Sequence, residues 1–334
     1  TNISASSKKS MSLYLYILMD ADKRIEEIKK KMEEDVEGLE EKDRASYIFE
    51  IGKIYKEKKQ MDKAIEQFKE TIAQTISFNT KFDAIFEILH IGLLEKNQDI
   101  LKEYLAKCRE LLKEEGADWE KKNRFKIYEG LNFVLNKNFK DAGKNFLEAL
   151  MTFTSYELFD FKTFVFYTAV INIITVDRKT LKEKIIDNSD VLSCINDIPH
   201  LQRFLNSFYD GEYSEFLVEL YHIIQMLKKD FYLSKHYNFF INEMRIKVYS
   251  QFLQSYRTVT IENMANVFGV STNFIDAELS NFISQGRINA KIDKVSGIIE
   301  CQHNEQNIDL YQTTIRESDI LISKIHKLGK LLEI

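Results

Sequence analysis

The stretch "TIENMANVFGVSTNFIDAEL" at residues 260–279 decides the fold class of the second half of the chain. Ala265 lies on one short apolar segment, Gly269 follows four residues later, and Ile275 lies on the next segment. This spacing predicts two short helices joined by a glycine turn, a helix-turn-helix, whose second helix enters the DNA major groove in many regulators. We expect its core to consist of Ile261, Met264, Phe268, Phe274, Ile275, Leu279 and Phe282.

The residues after this motif alternate as in a β-strand. In "RINAKID" (287–293), Ile288, Ala290 and Ile292 face one side and the polar residues between them face the other. "DKVSG" turns the chain, and "IIEC", with Ile298 and Ile299, returns it. Three helices and a hairpin describe a winged helix at about 244–305. Because the hairpin edge carries unpaired backbone groups, we regard these five apolar residues as candidate partner-binding residues.

The second helix of the motif lacks the side chains that read DNA. "STNFIDAELSNFISQG" contains no Lys or Arg, and its Asp276 and Glu278 would face the phosphates of a bound duplex. The whole chain has a net charge of -5, and Arg287, Lys291 and Lys294 of the wing are too few to reverse the repulsion. We therefore interpret the motif as a folding unit. The alternative from another class is a transcription regulator that binds DNA through its winged helix and senses a signal through a helical arm.

Composition indicates a mostly helical protein. The chain has 334 residues with one proline and 11 glycines, so helix breakers are rare in a length that suits two or more domains. The apolar run "MSLYLYILM" at 11–19 is too short to span a bilayer, and we interpret it as a core-facing helix rather than a signal peptide. Residues 22–44 carry one apolar stripe on a solvated helix, formed by Ile25, Ile28, Met32, Val36 and Leu39.

Two segments between residues 45 and 150 have the spacing of tetratricopeptide helix pairs. In each, a glycine is followed by an aromatic, an alanine and a phenylalanine at offsets of 3, 12 and 16. A weaker third pair lies between them, with Gly92 as its glycine and Tyr104 where an alanine is expected. We predict three stacked helical hairpins. The two clear sets are Gly52, Tyr55, Ala64 and Phe68, and Gly130, Phe133, Ala142 and Phe146.

No catalytic, cofactor-binding or metal-binding residues are indicated. The sequence contains no H-E-x-x-H, H-x-H or G-x-S-x-G motif and no P-loop. Cys108, Cys194 and Cys301 lie far apart without a C-x-x-C pair, which is typical of buried thiols in a reducing compartment. We expect no enzyme activity and no cofactor.

The end of the chain predicts a helix that serves assembly. Leu321, Ile325, Leu328 and Leu332 recur at spacings of 4, 3 and 4, which aligns them on one stripe. A polar segment, "QHNEQN" (302–307), precedes this helix. We predict that partner helices cover the stripe and count these four residues among the candidate partner-binding residues. The alternative is that the helix folds back onto its own domain.

Three segments carry a resemblance to a known family. "TFTSYELFDFKTFVFYT" (152–168), "INEMRIKVYSQFLQSYRTVTIENMANVFGV" (241–270) and "GRINAKIDKVSGIIE" (286–300) are similar to sequences of PCI-domain scaffold proteins. These proteins are subunits of the proteasome lid, the COP9 signalosome and a translation initiation factor. The resemblance covers roughly residues 45–334, and "KIDKVSGIIE" looks most like the proteasomal form.

The resemblance implies a mainly α fold. A tetratricopeptide-like helical-repeat solenoid would precede a PCI domain, which consists of a helical segment and a winged helix, and a long C-terminal helix would follow. The expected limits are 1–44 for an N-terminal helical segment, 45–153 for the repeats, 154–305 for the PCI domain and 306–334 for the C-terminal helix.

The resemblance also implies a function. The chain would be a non-catalytic scaffold of the 26S proteasome regulatory particle lid in ubiquitin-dependent protein degradation, located in cytoplasm and nucleus. Its partners would be other PCI subunits of the lid and the metalloprotease deubiquitinase, with the base ATPases as further partners. It would form a hetero-oligomer and bind neither nucleic acid nor membrane. A scaffold subunit of the signalosome or of the initiation factor is the alternative within the family.

Overall fold

The computed structural model describes residues 21–32, 41–75, 77–113, 118–301 and 306–332. The apolar run at 11–19, and Val36 and Leu39 of the early stripe, lie outside these ranges. The chain divides into two compact units, Thr1–Thr175 and Val176–Ile334. The domain limits given above stay predictions.

The first unit is built from helices that pack in sequence order. Helix α2 packs on α3, α4 on α5 and α6 on α7, which makes three helical hairpins, and α8 packs on α7. A short 3₁₀ turn, Leu150–Thr152, follows α7. The helices are α1 (residues 21–32), α2 (Glu41–Glu57), α3 (Met61–Gln74), α4 (Phe78–Glu95), α5 (Gln98–Leu111), α6 (Trp119–Leu135), α7 (Phe139–Ala149) and α8 (Phe161–Thr175).

All three hairpins turn in the same way. A lysine follows the first helix of each and adopts a left-handed backbone: Lys59 (φ 60°), Lys96 (φ 56°) and Lys137 (φ 62°). The amide after each lysine donates to the carbonyl five residues before it, as in Asn138 N to Phe133 O at 2.9 Å. This is the Schellman ending of a helix, whose left-handed position is usually glycine. The shared turn defines the register of the repeat.

Close packing inside the outer hairpins depends on glycine. A Cβ added to Gly52 would lie 2.6 Å from a ring carbon of Phe68, and one added to Gly130 would lie even nearer to the Phe146 ring. No real Cβ makes such contacts, so each glycine admits an aromatic ring between the paired helices. Phe146 also meets Phe164 of α8, with ring centroids 5.5 Å apart. The two clear sets of repeat residues therefore lie on packed helix pairs, as their spacing predicts.

The middle hairpin has a different register from the one predicted. Counted from the turn lysines, Gly92 occupies the position of Tyr55 and Phe133, and the partner position across the hairpin holds Leu101. A Cβ on Gly92 would lie 3.2 Å from Leu101. Large and small residues have therefore exchanged places here. Tyr104, which is buried, does not replace the repeat's alanine.

The second unit begins with short helices and ends in the predicted winged helix. Its one sheet among the described residues has three strands in the order β1-β3-β2, all antiparallel to their neighbours. A π-helical segment, Lys182–Ile186, follows α9, and a 3₁₀ turn, Ser234–His236, precedes α13. The elements are α9 (Arg178–Leu181), α10 (Ser189–Ile195), α11 (Leu201–Asp210), α12 (Tyr213–Lys229), α13 (Tyr237–Leu253), β1 (Thr258–Thr260), α14 (Ile261–Phe268), α15 (Thr272–Ser284), β2 (Ala290–Asp293), β3 (Ile298–Cys301) and α16 (Gln306–Leu332).

The helix-turn-helix is held by aromatic packing around Phe268. Its ring stacks on Tyr213 of α12 at 4.8 Å and meets Tyr249 and Phe252 of α13 at 5.1 and 5.5 Å. Gly269 ends α14 with φ of 66°, which lets the chain turn into α15. The two helices are therefore fixed on α12 and α13. The predicted mainly α fold, with helical repeats followed by a winged helix, is confirmed.

Candidate protein-interaction site

Helix α15, which would read DNA in a regulator, directs one of its two acidic side chains inward. Glu278 accepts a hydrogen bond from the Arg245 guanidinium and another from Tyr249 Oη at 2.6 Å. Burial of Tyr249 and its bond to this carboxylate both raise the pKa of the phenol well above its ordinary value. The expectation that Glu278 faces a bound duplex is wrong, because an ion pair with α13 satisfies this carboxylate inside the domain.

The other acidic side chain of α15 is also paired. Asp276 Oδ2 lies 3.3 Å from Lys294 Nζ, so α15 is tied to the turn between β2 and β3. This contact pairs Lys294, one of the three cationic side chains of the wing, with a carboxylate of the same domain. The helix therefore presents no excess of positive charge to a phosphate backbone.

Five of the seven predicted core residues of the motif are buried, and two are not. Phe274 is 39% exposed, and Ile261 is half-buried. The Arg245 guanidinium lies 5.7 Å from the centre of the Phe274 ring. Phe274 lies in the first turn of α15, before the helix meets the domain, and a cation covers part of its ring instead of apolar neighbours.

The three-stranded sheet has its free edges at β1 and β2. Strand β3 pairs with both neighbours, Val259 opposite Ile299 on one side and Ile292 opposite Ile299 on the other. Ile298 and Ile299 therefore lie in the central strand and not at an edge. Within the described part of the chain the outer side of β2 has no strand partner, so its backbone groups can pair with another chain.

The predicted partner-binding side chains of the hairpin serve mainly the core. Ile288, Ala290 and Ile299 are buried, while Ile292 and Ile298 are half-buried. A partner could reach these side chains only slightly, whereas the outer side of β2 has no strand partner among the described residues. The role of the hairpin in docking stays a prediction.

Helix α16 leaves its apolar stripe in solvent. Leu321, Ile325 and Leu328 are 59–61% exposed. Ile322 beside them is 54% exposed, and among the described side chains of α16 none is buried. Leu332 ends the helix, and its side chain lies outside the described ones. A 27-residue helix with an uncovered apolar stripe is a typical protein-interaction element.

An apolar groove lies beside the helix-turn-helix, and the sequence pattern did not lead us to predict it. It has a volume of about 450 Å³, and Val218 and Tyr221 of α12, both more than half exposed, line it with Val270. The signal was present in α12, where Ser214, Leu217, Val218 and Tyr221 follow helical spacing on the side away from the buried residues.

Sites for reaction chemistry are not apparent in the described residues. Within them no group of three or more His, Cys, Asp and Glu side chains is arranged to hold a metal ion. Burial raises the pKa of the Cys108 thiol to about 12, so this sulfur stays protonated near neutral pH. Among the same residues no helix is both long and apolar enough to cross a membrane.

Comparison with family models gives two matches. The model described as 26S proteasome subunit RPN7 matches residues 13–184, about half of the chain, and the PCI domain model matches residues 223–303. The second match contains α13, the helix-turn-helix and the sheet. The resemblance deduced from the sequence is therefore confirmed at both ends of the chain.

Comparison with curated proteins gives relatives that span most of the chain. The 26S proteasome non-ATPase regulatory subunit 6 of Oryza sativa subsp. japonica is 39% identical over 95% of this chain and 82% of its own length. The Arabidopsis thaliana homolog of that subunit is 42% identical over 82% of this chain and 70% of its own. COP9 signalosome complex subunit 1 of Arabidopsis thaliana is 26% identical over 56% of this chain and 43% of its own.

Proposed function

Because this chain belongs to the family of 26S proteasome subunit RPN7, also named non-ATPase regulatory subunit 6, we propose that it is a structural, non-catalytic subunit of the regulatory particle lid. It acts by assembly with other proteasome subunits in ubiquitin-dependent protein degradation. The weaker and shorter match to signalosome subunit 1 makes a signalosome scaffold the lesser candidate.

The uncovered stripe of α16 is the observation that carries this proposal. Leu321, Ile325 and Leu328 leave large apolar areas in water, which is unfavourable unless a partner covers them. Burial of one such side chain contributes about 1.5 to 3 kcal/mol, so three of them support a stable helix bundle even after ordering costs. The helix is the assembly element, and helices of other lid subunits are its partners.

The outer edge of β2 supplies a second contact. A PCI subunit that adds its own sheet or loop to this edge gains main-chain hydrogen bonds without disturbing the buried Ile288 and Ala290. The neighbours at these surfaces are other PCI subunits of the lid and the metalloprotease deubiquitinase, with the base ATPases as further partners. The protein acts where proteasomes act, in cytoplasm and nucleus.

Mass spectrometry of the native complex that contains this chain tests the proposal. We expect co-purification of the proteasome ATPases, the core peptidase subunits and the other lid subunits. Recovery of a deneddylase with signalosome subunits, and without the ATPases, would assign the chain to the signalosome instead. Recovery of the chain alone from a gently lysed source would contradict any scaffold role.

A further inference from the structure

A half-buried charge network crosses the three hairpins of the first unit. Lys56 of α2 lies between two groups of α4, with its Nζ 2.5 Å from Glu87 Oε2 and 2.8 Å from His90 Nδ1. Both carboxylate and ammonium are about four-fifths buried. The network thus joins the first hairpin to the second through one lysine.

The network continues into the third hairpin. Arg124 of α6 lies 3.5 Å from Asp83 of α4 and donates to Glu157, in the segment before α8, at 2.6 Å. Tyr128 of α6 donates to the same Glu157 carboxylate at 2.8 Å. Charged and polar side chains therefore also join α6 to α4 and to the segment before α8. Of these contacts, only the one between α2 and α4 includes an imidazole.

The Lys56–His90 contact fixes the protonation state of the histidine. An ammonium group only donates hydrogen bonds, so His90 Nδ1 must accept, and the ring must be neutral with its proton on Nε2. A proton on Nδ1 would remove the acceptor and place a second cation beside Lys56. The hydrogen bond and the charged imidazolium are therefore mutually exclusive.

We propose that His90 is a proton-sensitive joint of the first unit: the neutral ring accepts a hydrogen bond from Lys56 that helps to tie α2 to α4, and the protonated ring loses this bond and repels the lysine. Mild acidification would loosen the link between the first and second hairpins, while the packing of α2 on α3 and the rest of the fold persist. The proposal concerns conformation of the arm and does not depend on which complex the chain enters.

The surroundings of His90 set the direction of the effect. Burial and then the charge of Lys56 lower the pKa of His90 below 6.5, and Arg124 adds to this, while Glu87 and Glu157 oppose it. The unfolded or released segment therefore binds a proton at a higher pH than the packed one. The stabilisation from the joint is complete above pH 6.5, and it declines as the pH falls below that value toward the lowered pKa.

Hydrogen exchange of the full chain, followed by mass spectrometry, tests the joint. Amide protection of α2 is compared at pH 7.4 and pH 5.6 after correction for intrinsic exchange. We expect protection of α2 to fall at the lower pH, by no more than about tenfold per pH unit because a single proton is involved. Peptides of α15 in the second unit, a helix that contains no histidine, should keep their protection.

Two variants give the matched comparison. H90Q retains an acceptor for Lys56 but cannot take up a proton, so its α2 protection should not change with pH. H326Q makes the same substitution at an exposed histidine of α16 and should show the same loss as the wild type. An equal loss in H90Q, or no loss in the wild type, would overturn the proposal.

A third variant covers the case in which H90Q does not fold. Lys56→Met removes the neighbouring cation and should raise the pKa of His90, so the loss of α2 protection at pH 5.6 should be smaller than in the wild type. An undiminished loss in this variant would equally refute the joint.

Discussion

Two glycines in the outer hairpins are contact residues rather than flexible ones. The Phe68 and Phe146 rings occupy the space where side chains of Gly52 and Gly130 would project. Each glycine lies inside a helix, where it is normally unfavourable by about 1 kcal/mol relative to alanine. The aromatic packing that it permits offsets this cost.

We predict that Gly130→Ala destabilises the first unit by about 1 to 3 kcal/mol, because the new methyl group overlaps the Phe146 ring. Thermal unfolding followed by the fluorescence of Trp119, the one tryptophan of the chain and the first residue of α6, would show a lower Tm. Phe146→Leu in the same chain should recover part of the loss.

The matched control is Gly329→Ala in α16. A Cβ at Gly329 would meet nothing within 4 Å, so this change should have no cost and only improve helix propensity. Equal destabilisation by both alanines would show that the Gly130 effect has nothing to do with Phe146.

The three turn lysines have a left-handed backbone, and a substitution at these positions can raise the stability of the protein. Replacing Lys137 by glycine should stabilise the arm by about 0.5 to 1 kcal/mol, since a side chain in this backbone region is strained and glycine is not. The comparison is Lys144→Gly, an exposed position in the interior of α7, which should lose about 1 kcal/mol. Urea unfolding with Trp119 fluorescence measures both, and a loss at Lys137 would contradict the role assigned to this backbone conformation.

For individual residues, the sequence predicted the contacts of glycines more accurately than the contacts of charged side chains. Offsets from Gly52 and Gly130 located the aromatic contacts because only a missing side chain can admit a ring there. Glu278 was misassigned, since helical spacing alone cannot reveal that Arg245, 33 residues earlier, lies beside it. The register of the middle hairpin was predicted wrongly because large and small residues exchange positions there. The lysine that recurs at each hairpin turn indicates the correct register.

At the scale of elements, α16 is the most consequential helix. We predict that Leu321→Asp combined with Leu328→Asp weakens incorporation into the proteasome at least tenfold, because two exposed leucines that a partner would bury contribute more than about 1.4 kcal/mol. Lys324→Glu changes charge on the same helix and should assemble normally. Affinity purification with quantitative mass spectrometry gives both ratios.

Truncation after Asn307 separates assembly from folding back onto the domain. If partners cover the stripe, the shortened chain should melt like the free full-length chain and fail to enter the complex. A decrease of several degrees in Tm for the free chain, with exposure of new apolar surface, would mean that α16 stabilises its own domain.

Docking at the edge of β2 can be tested by comparing proline substitutions at two neighbouring residues of the strand. Consecutive residues of a strand direct their amides to opposite sides, so the amides of Lys291 and Ile292 point one toward β3 and one away from it. We predict that proline at the outward-facing position leaves the monomer folded but weakens assembly, while proline at the inward-facing position unfolds the wing. Circular dichroism identifies the folded variant, and normal assembly by that variant would count against edge docking.

At this scale the pattern of the sequence was sufficient for most elements. The alternation of Ile288, Ala290 and Ile292 located β2, and Gly269 located the turn between α14 and α15. Strand β1 was not recognised, because three residues are too short for alternation to show. Its pairing places β3 in the centre of the sheet, and so moves the free edge away from Ile298 and Ile299.

For the whole molecule, the negative net charge disfavours binding of nucleic acid. The net charge is -5, and the carboxylates of α15 are paired within the domain. We predict no salt-dependent binding of a DNA duplex in fluorescence anisotropy at 50 mM salt. Lysines introduced at the exposed Thr272, Asn273 and Asn281 should produce weak binding that disappears as salt rises. Tight binding by the unmodified chain would revive the regulator hypothesis.

The same lysine variant also tests whether the exposed face of α15 contacts another subunit in the complex. If it enters the complex as the wild type does, the exposed face of α15 takes no part in assembly. If it is excluded, that face contacts a neighbour. The absence of DNA binding, expected from the acidic composition, stays a prediction, whereas the apolar groove at Val218 and Tyr221 could be recognised only from the three-dimensional structure.

The uncovered leucines of α16 distinguish an orphan copy from an assembled one. The stripe is exposed in the isolated chain, and our proposal places it under partner helices in the assembled particle. Displayed apolar helices are the features that chaperones and quality-control machinery bind, and they also drive self-association at high concentration. If partners cover this stripe, we expect surplus copies of the chain to be removed faster than assembled ones, so that degradation of unassembled chains would help to keep the subunits in balance.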